Sequence, residues 1–235
     1  MDRFFGKVCR DRATIRNDLN HLKVKRVKTG DLVEVLDEET FKPFLCQVEK
    51  ISKKEAQLSV VKELEPNLPK VFVRLYQCVP VKLSTFDEIV ENAVQVGVSQ
   101  LIPVVSKRSF QKVSVIEEKL DRWRRVAAEA LKQCGRHHPL EVLPPVRLEQ
   151  IPPPSEGELR LFPFEREKSK LLKEELLREK PREVSLLIGP EGGFSEEEAR
   201  LAREKGFKPV SLGNFVLKAE TAATVAAFTA YHLLL

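Results

Sequence analysis

The sequence contains few cysteines, and none of them are spaced as metal sites or redox motifs require. Cys9, Cys46, Cys78 and Cys134 are far apart among 235 residues, and no Cys-x-x-Cys pair occurs. A structural zinc site needs about four ligands, usually in two spaced pairs. We therefore expect reduced, mostly buried thiols and no bound metal.

A long hydrophobic run is also missing. The most apolar stretch, residues 221–235, is shorter and more polar than the ~20 apolar residues of a transmembrane helix. The first 28 residues are rich in Arg and Lys and lack the apolar segment of a secretory signal. Because 42% of the residues are hydrophobic and 32% are charged, a disordered chain is excluded. We predict a soluble, cytoplasmic protein without a membrane partner.

The net charge of +5 at pH 7 is small but unevenly distributed. Residues 1–30 contain nine Lys or Arg and three Asp, and residues 105–136 contain nine Lys or Arg and four acids. Residues 151–235 contain thirteen basic and fourteen acidic residues. Clustered cations attract phosphates over long range. The two basic segments thus indicate a polyanionic partner, and an ordinary solvated surface is the alternative.

The pattern of short apolar runs divides the chain into two domains. Runs rich in Val, Phe and Leu predict strands at residues 4–10, 32–36, 44–51 and 56–64, with one short helix at residues 18–25. Strands of this length and spacing are typical of a small barrel. Two prolines in residues 64–70 predict a linker. We therefore place a β-barrel domain at residues 1–70 and a second domain at residues 71–235.

The second domain alternates strands and helices. Strands are predicted at residues 71–79, 101–105, 159–165, 184–189 and 209–212, helices at residues 86–96, 116–134, 170–179, 195–205 and 220–235, and a loop at residues 144–154. This alternation predicts a largely parallel sheet covered by helices. Ligands of such sheets bind at the carboxyl ends of the strands.

The sharpest local motif is LLIGPEGGFSEEEA, residues 186–199. Three glycines within five residues allow positive φ angles and a close approach of a ligand to the backbone. Ser195 and Glu198 form an S-x-x-E capping box at the start of a helix. The motif matches neither a Walker loop nor a dinucleotide fingerprint. It predicts a ligand loop, with a tight strand-to-helix turn as the alternative.

Two further loops follow predicted strands. One is LGNFVLKAETAA, residues 212–223, and the other is LFPF, residues 161–164. We expect the three loops to line one pocket. Because they offer backbone groups and apolar side chains, the pocket suits a neutral or cationic heteroaromatic cofactor better than hydrolytic chemistry.

The segments IGPEGGFSEEE and LGNFVLKAETA resemble the signature of the SPOUT class of RNA methyltransferases. The chain resembles in particular the RsmE family, the bacterial 16S rRNA uracil-N3 methyltransferases. Residues 20–31 and 86–109 are similar to segments of that family, and Glu129, Ala130, Gln133 and Arg136 match its E-A-x-x-Q-x-x-R helix. The resemblance covers almost the whole chain.

The resemblance implies a fold and an activity. The fold would be α/β, with an N-terminal PUA-like β-barrel followed by a SPOUT α/β domain that ends in a trefoil knot. The chain would bind S-adenosylmethionine, form a homodimer and bind 16S rRNA or the small ribosomal subunit. Its reaction would be methylation of N3 of one uridine near the 3′ end of 16S rRNA, in the decoding region.

The resemblance and the charge pattern also assign residues. The cofactor would contact Phe162, Pro163, Ile188, Gly189, Pro190, Glu191, Gly192, Gly193, Leu212, Gly213, Val216, Leu217 and Thr221. A side chain at Gly192 would block its approach. The catalytic residues would be Arg136 and Lys218, as cations beside the uracil anion, and the carboxylate Glu220. RNA would contact Arg3, Arg10, Lys23, Arg26 and Arg108.

Two residues depart from the family pattern L-G-x-R-I-L-R-x-E-T. Phe215 and Lys218 occupy the two arginine positions. Lysine keeps the charge and loses the bidentate fork, whereas phenylalanine loses both. Phe215 is thus the best argument for an alternative function, a non-catalytic RNA-binding protein with a degenerate knot domain. Binding of S-adenosylmethionine distinguishes the two.

Overall fold

The computed structural model describes all 235 residues, which form two compact units. The first consists of Met1–Leu68 together with Leu131–Pro139, and the second of Pro69–Ala130 together with Leu140–Leu235. The division after Leu68 lies close to the predicted linker. A single boundary does not describe the chain, because Leu131–Pro139 packs with the N-terminal residues.

The first unit is a closed five-stranded barrel with one short helix. Its elements are β1 (Arg3–Cys9), β2 (Arg12–Ile15), α1 (Leu19–Val24), β3 (Leu32–Asp37), β4 (Pro43–Ile51) and β5 (Ala56–Glu63). The strand order is β1-β2-β5-β4-β3, and parallel pairing of β1 with β3 closes the barrel. Alternate residues point inward, which forms a core of Phe4, Ala13, Ile15, Leu22, Val33, Val35, Cys46, Val48, Ala56 and Leu58. Closure leaves no unpaired sheet edge.

The second unit contains a parallel sheet of seven strands. They are β6 (Phe72–Cys78), β7 (Gln100–Val105), β8 (Glu141–Val142), β9 (Val146–Arg147), β10 (Glu158–Pro163), β11 (Glu183–Ile188) and β12 (Lys208–Val210). The order is β12-β10-β11-β6-β7-β8, and β9 pairs with β7. The barrel followed by an α/β domain with a parallel sheet is thus confirmed. The trefoil knot stays a prediction.

Five helices accompany this sheet: α2 (Ser84–Gln95), α3 (Val113–Cys134), α4 (Leu172–Glu179), α5 (Glu196–Glu204) and α6 (Ala219–Leu233). Each lies within a few residues of its predicted range, because apolar residues at helical spacing bury one face. Trp123 of α3 is fully buried, and its ring centroid lies 4.1 Å from that of Phe86 in α2. None of the helices is both long and apolar enough to cross a membrane.

Gly97 follows the last residues of α2, and two features require glycine there. Its φ is +89°, which side chains rarely adopt. A Cβ atom at this position would also lie 2.6 Å from the ring of Tyr231 in α6. Gly97 therefore allows α2 and α6 to approach closely.

The sequence analysis missed two short strands, β2 and the two-residue β8, and assigned one segment wrongly. β2 has only four residues and two of its neighbours in sequence are charged, so its pattern is too short to detect. Residues 144–154, predicted as a loop because of their prolines, contain β9 and a 3-10 turn at Leu148–Gln150. β9 forms by pairing with β7, which is distant in sequence, and local composition does not report such a pairing.

Candidate active site

A pocket lies at the carboxyl ends of three neighbouring strands of the second unit. Because β12, β10 and β11 are adjacent and parallel, the loops that follow them emerge at the same edge of the sheet. The lining residues are Pro163, Phe164, Glu165, Glu167, Lys168, Ile188, Gly189, Pro190, Glu191, Gly193, Phe194, Val210, Ser211, Leu212, Gly213, Phe215, Val216, Leu217, Ala219 and Ala222. The space, including its open mouth, is about 810 Å³.

The loop after β11 is a tight turn that leads into α5. The Gly193 N–H donates to the Pro190 carbonyl at 2.9 Å, and Gly193 has a φ of +64°. A Cβ atom at Gly193 would lie 3.1 Å from Oε2 of Glu165. The predicted capping box is present, since the Glu198 N–H donates to Ser195 Oγ and the Ser195 N–H donates to the Glu198 carboxylate. The turn therefore brings the backbone of Gly193, which has no side chain, close to the loop after β10.

The loop after β12 forms the opposite wall and is the most exposed. The Gly213 N–H donates to Ser211 Oγ at 3.2 Å, and the Ser211 hydroxyl donates to the Gly213 carbonyl at 3.1 Å. Gly213 has a φ of +130°. The chain then exposes two apolar side chains, Phe215 at 85% and Val216 at 81%, before α6 begins.

Three carboxylates and one lysine line the pocket, and the carboxylates differ in their partners. Glu167 accepts hydrogen bonds from the Ser169 hydroxyl, the Ser169 N–H and the Lys170 N–H, which lower its pKa. Glu191 accepts a hydrogen bond from the Val81 N–H at 3.2 Å. Glu165 forms no hydrogen bond or ion pair with another residue. The pocket therefore holds one carboxylate that is available for a ligand cation.

Ten of the thirteen predicted cofactor residues come together in this pocket: Pro163, Ile188, Gly189, Pro190, Glu191, Gly193, Leu212, Gly213, Val216 and Leu217. They lie in the three predicted loops. Glu165, Glu167, Lys168 and Ser211 line it too, and the sequence did not single them out. Their position directly after a strand is the signal that could have found them.

Three predicted cofactor residues lie outside the pocket. Phe162 is fully buried in the core, because successive residues of a strand point to opposite faces. Thr221 lies on a different face of α6 from Ala219 and Ala222, the two residues that line the pocket at helical spacing. A Cβ atom at Gly192 would meet Cδ of Arg108 at 3.1 Å, so this glycine faces Arg108 and a side chain there would not meet the cofactor first.

The structure does not bring the three predicted catalytic residues into the pocket lining. Lys218 is exposed one residue after the pocket residue Leu217, and its carbonyl accepts the Ala222 N–H of α6. Glu220 is half-buried in the first turn of α6. Arg136 belongs to the first unit, is 7% exposed, and its carbonyl accepts a hydrogen bond from Arg3.

The predicted RNA-binding residues divide into exposed and buried ones. Arg10, Lys23, Arg26 and Arg108 are exposed, and the Arg108 guanidinium donates to the Gly192 carbonyl at 2.6 Å. Arg3 is only 9% exposed. Its guanidinium lies 2.6 Å from Glu34 and donates to the carbonyls of Gly135 and Arg136. Arg3 therefore holds the first unit together and does not reach solvent.

Comparisons with known proteins agree on one family. Residues 66–230 match the model of an RNA methyltransferase domain, and residues 16–61 match that of an RNA methyltransferase PUA domain. A relative from Aquifex aeolicus (strain VF5), named ribosomal RNA small subunit methyltransferase E, is 38% identical over 205 residues, covering 87% of each chain. A relative of the same name from Mesomycoplasma hyopneumoniae (strain 232) is 30% identical over 207 residues, again covering 87% of each.

Among solved structures, the fold is similar to that of a ribosomal RNA small subunit methyltransferase E from Neisseria gonorrhoeae bound to S-adenosyl methionine. The TM-score is 0.83 at 24% sequence identity. The match covers 97% of this chain and 95% of that one, so both units are included.

Proposed function

The chain belongs to the RNA methyltransferase family whose members include ribosomal RNA small subunit methyltransferase E, and from this we propose that it methylates small-subunit ribosomal RNA with S-adenosylmethionine. The observation that carries the proposal is the pocket built by the loops after β10, β11 and β12, with its glycine turn and its available carboxylate. We further propose N3 of one uridine near the 3′ end of 16S rRNA as the methyl acceptor, a choice supported by the resemblance to the uracil-N3 enzymes.

The pocket suits S-adenosylmethionine in both shape and charge. The bound cofactor supplies a methyl group that its sulfonium has already activated. Gly189 and Gly193 allow the backbone to approach it, and Ile188, Leu212 and Leu217 provide apolar walls. Glu165 is placed to balance its positive charge, because this carboxylate has no partner in the chain. These residues would hold the methyl donor in a fixed position.

The acceptor base requires a proton acceptor and a cation. Uracil N3 is protonated and takes part in base pairing, so the base must be unpaired or flipped out. We propose that Lys218, exposed directly after the pocket wall, stabilises the charge that develops on the uracil. Glu220, two residues further along, is our candidate to accept the N3 proton. Arg136 does not suit the role of the cation beside the uracil, because it is buried in the first unit.

The exposed cations of the first unit are our candidates for phosphate contacts. Arg10, Lys23 and Arg26 all reach solvent in a segment of strongly positive net charge. Phosphate contacts release counterions, so RNA affinity should fall steeply as salt increases. Arg108, next to the glycine turn, is the corresponding candidate in the second unit.

A second copy of this chain is our candidate partner at α6. This helix exposes Val225 and Phe228, whereas Ala223, Ala226, Ala227 and Ala230 are buried. An apolar helix face gains free energy when it packs against another apolar surface. We propose a homodimer through this face, acting in the cytoplasm, where its ribosomal substrate is found.

Mass spectrometry of rRNA tests the proposed function. 16S rRNA from a strain that lacks this protein is incubated with the pure protein and isotope-labelled S-adenosylmethionine, then digested to nucleosides. We expect labelled 3-methyluridine. Label in another nucleoside would overturn the choice of uridine N3. Absence of any label, together with calorimetry that detects no cofactor binding, would favour the non-catalytic alternative.

A further inference from the structure

Phe215 is the most exposed large apolar side chain of the protein. Its exposed fraction is 85%, which exceeds the values for Val216, Val24 and Met1. It lies in the loop between β12 and α6, three residues before Lys218, and it also lines the cofactor pocket. An aromatic ring therefore stands at the mouth of the site with most of its surface in water.

Folding alone does not explain this placement. Burial of a phenylalanine side chain stabilises a protein by about 1.5–3 kcal/mol. Because Phe215 is 85% exposed, it contributes almost none of this free energy to folding of the chain. Single exposed apolar residues are common, but Phe215 and Val216 are consecutive and both border a ligand pocket. Exposed apolar surface beside a binding site is typical of a contact with a partner.

The position of the ring favours the RNA substrate as that partner. Phe215 lines the pocket and is 85% exposed, so its ring is accessible to a substrate that reaches the pocket mouth. A methyl acceptor must enter through the open mouth of the pocket, which the loop of Phe215 borders. The apolar surface that we assign to a second copy lies elsewhere, at Val225 and Phe228 on α6.

The chemistry of the acceptor matches an aromatic contact. A base that has left its duplex exposes both flat faces, and proteins hold such bases by stacking them on aromatic rings. The stacking of one base on an aromatic side chain is worth roughly 1–3 kcal/mol. Lys168, which lines the same pocket, and Lys218 are both exposed, so cations for the neighbouring phosphates are present on the two loops.

We propose that Phe215 stacks on the base that receives the methyl group and thereby positions it at the mouth of the cofactor pocket. The proposal rests on the proposed function, because it needs a base as the acceptor. Phe215 acts by geometry alone, since its ring exchanges no proton and forms no bond with the substrate. It is a substrate-positioning residue.

The test measures whether Phe215 and the target base depend on each other. The probes are two versions of a 16S rRNA 3′ segment, one with the uridine that mass spectrometry identifies and one with an abasic ribose at that position. Their dissociation constants are measured by fluorescence anisotropy with saturating S-adenosylhomocysteine, which prevents turnover. For the wild-type protein we expect the abasic RNA to bind about five- to a hundredfold more weakly, corresponding to ~1–3 kcal/mol of stacking.

The same two RNAs are then measured with three protein variants, which forms a double-mutant cycle between Phe215 and the target base. In Phe215→Ala the abasic penalty should shrink to less than about twofold, and in Phe215→Trp it should persist. Leu68→Ala is the matched control, because it removes an exposed apolar side chain that lies outside the pocket lining. It should retain the full penalty. Calorimetry with S-adenosylhomocysteine and sedimentation are run on each variant.

The proposal is overturned if Phe215→Ala retains the wild-type abasic penalty. It is also overturned if that variant loses cofactor affinity, or becomes monomeric, while its base dependence is unchanged, since Phe215 would then cover the cofactor or a second copy. Failure of the proposed function is recognised separately, because the wild-type protein would then leave the rRNA unlabelled. A wild-type protein that labels the RNA but shows no abasic penalty contradicts the stacking proposal alone.

Discussion

The hydrogen-bond partners of each carboxylate decide whether it can bind a cationic ligand in the pocket, and its position in the sequence does not. Glu167 and Glu191 are held by N–H donors of the chain, and Glu198 is used in the capping box of α5 and by the Lys107 N–H. Glu165 has no such donor. A carboxylate that is not already bonded is the one that a cationic ligand can engage without breaking a protein contact.

We predict that Glu165→Gln weakens binding of S-adenosylmethionine roughly tenfold, because a hydrogen bond to a charged group is worth ~1.5–3 kcal/mol. Affinity for 5′-methylthioadenosine, which has neither the sulfonium nor the amino acid, should change little. Isothermal calorimetry measures both. Glu167→Gln is the control and should have the smaller effect, since its carboxylate is already occupied. Equal losses for the two ligands would argue against charge recognition by Glu165.

Arg26 occupies a backbone conformation that usually belongs to glycine. It follows the last turn of α1 with a φ of +56°. The Val27 N–H donates to the Leu22 carbonyl at 3.1 Å, and the Arg26 N–H donates to the Lys23 carbonyl at 3.0 Å. These are the hydrogen bonds of a Schellman motif, whose left-handed residue is normally glycine. An arginine at this position costs stability, which favours a role for its side chain.

We therefore predict opposite effects of Arg26→Gly on folding and on RNA binding. The free energy of unfolding should rise by about 1 kcal/mol, because the left-handed conformation costs a residue with a side chain roughly 1–2 kcal/mol and glycine adopts it without strain. Affinity for 16S rRNA should fall. Lys180→Gly is the matched control, since Lys180 ends α4 with a φ of +45°. It should stabilise the protein without changing RNA affinity. Denaturant unfolding and RNA titration provide the two measurements, and unchanged RNA affinity in Arg26→Gly would remove Arg26 from the RNA surface.

At the scale of elements, regular patterns were predictable and context-dependent ones were not. α3 was predictable because Leu120, Trp123 and Ala127 recur at helical spacing, and all three are buried. β2 was missed because four residues define no period. The segment Leu131–Pro139 was assigned to the second domain, whereas it packs with the barrel through ion pairs and hydrogen bonds that join residues more than a hundred positions apart.

This segment should make the stability of the first unit depend on pH. Burial, followed by the nearby Arg136 charge, lowers the pKa of His138 to about 4, and burial and Arg3 lower the pKa of His137, which also contacts Glu34. Between the ordinary histidine value and about 4, the unfolded chain binds protons that the folded chain does not. Stability should therefore decrease as the pH falls through this window.

We predict that the urea midpoint decreases from about pH 7 to about pH 5 in the wild-type protein, as this linkage requires. The decrease should be smaller in His138→Gln, which cannot take up the proton. His232→Gln changes an exposed histidine of α6 and should keep the wild-type decrease. Parallel slopes for wild type and His138→Gln would show that other groups cause the pH dependence.

At the scale of the whole molecule, folding of one chain leaves an apolar face of α6 exposed to solvent. Phe228 is 51% exposed, and its ring stacks only on His232 of the same helix. We predict that Phe228→Asp converts the proposed homodimer to a monomer, because an unpaired carboxylate in an apolar interface is costly. Sedimentation equilibrium measures the mass. Leu177→Asp, at a leucine of α4 with 49% exposure, should remain dimeric; a monomeric wild-type protein would contradict the assignment.

The amino-acid sequence by itself determined most elements, the glycine turn at residues 189–193 and the capping box of Ser195 and Glu198. Helical spacing, glycine conformations and caps are local properties, so residues close in sequence specify them. The tertiary structure alone decided that β12, β10 and β11 are neighbours, which brings three separate loops into one pocket. It also turned Phe162 and Arg3 inward and Gly192 toward Arg108. These outcomes depend on which distant strands pair and on which face of each strand is buried. The spacing of residues in the sequence determines neither.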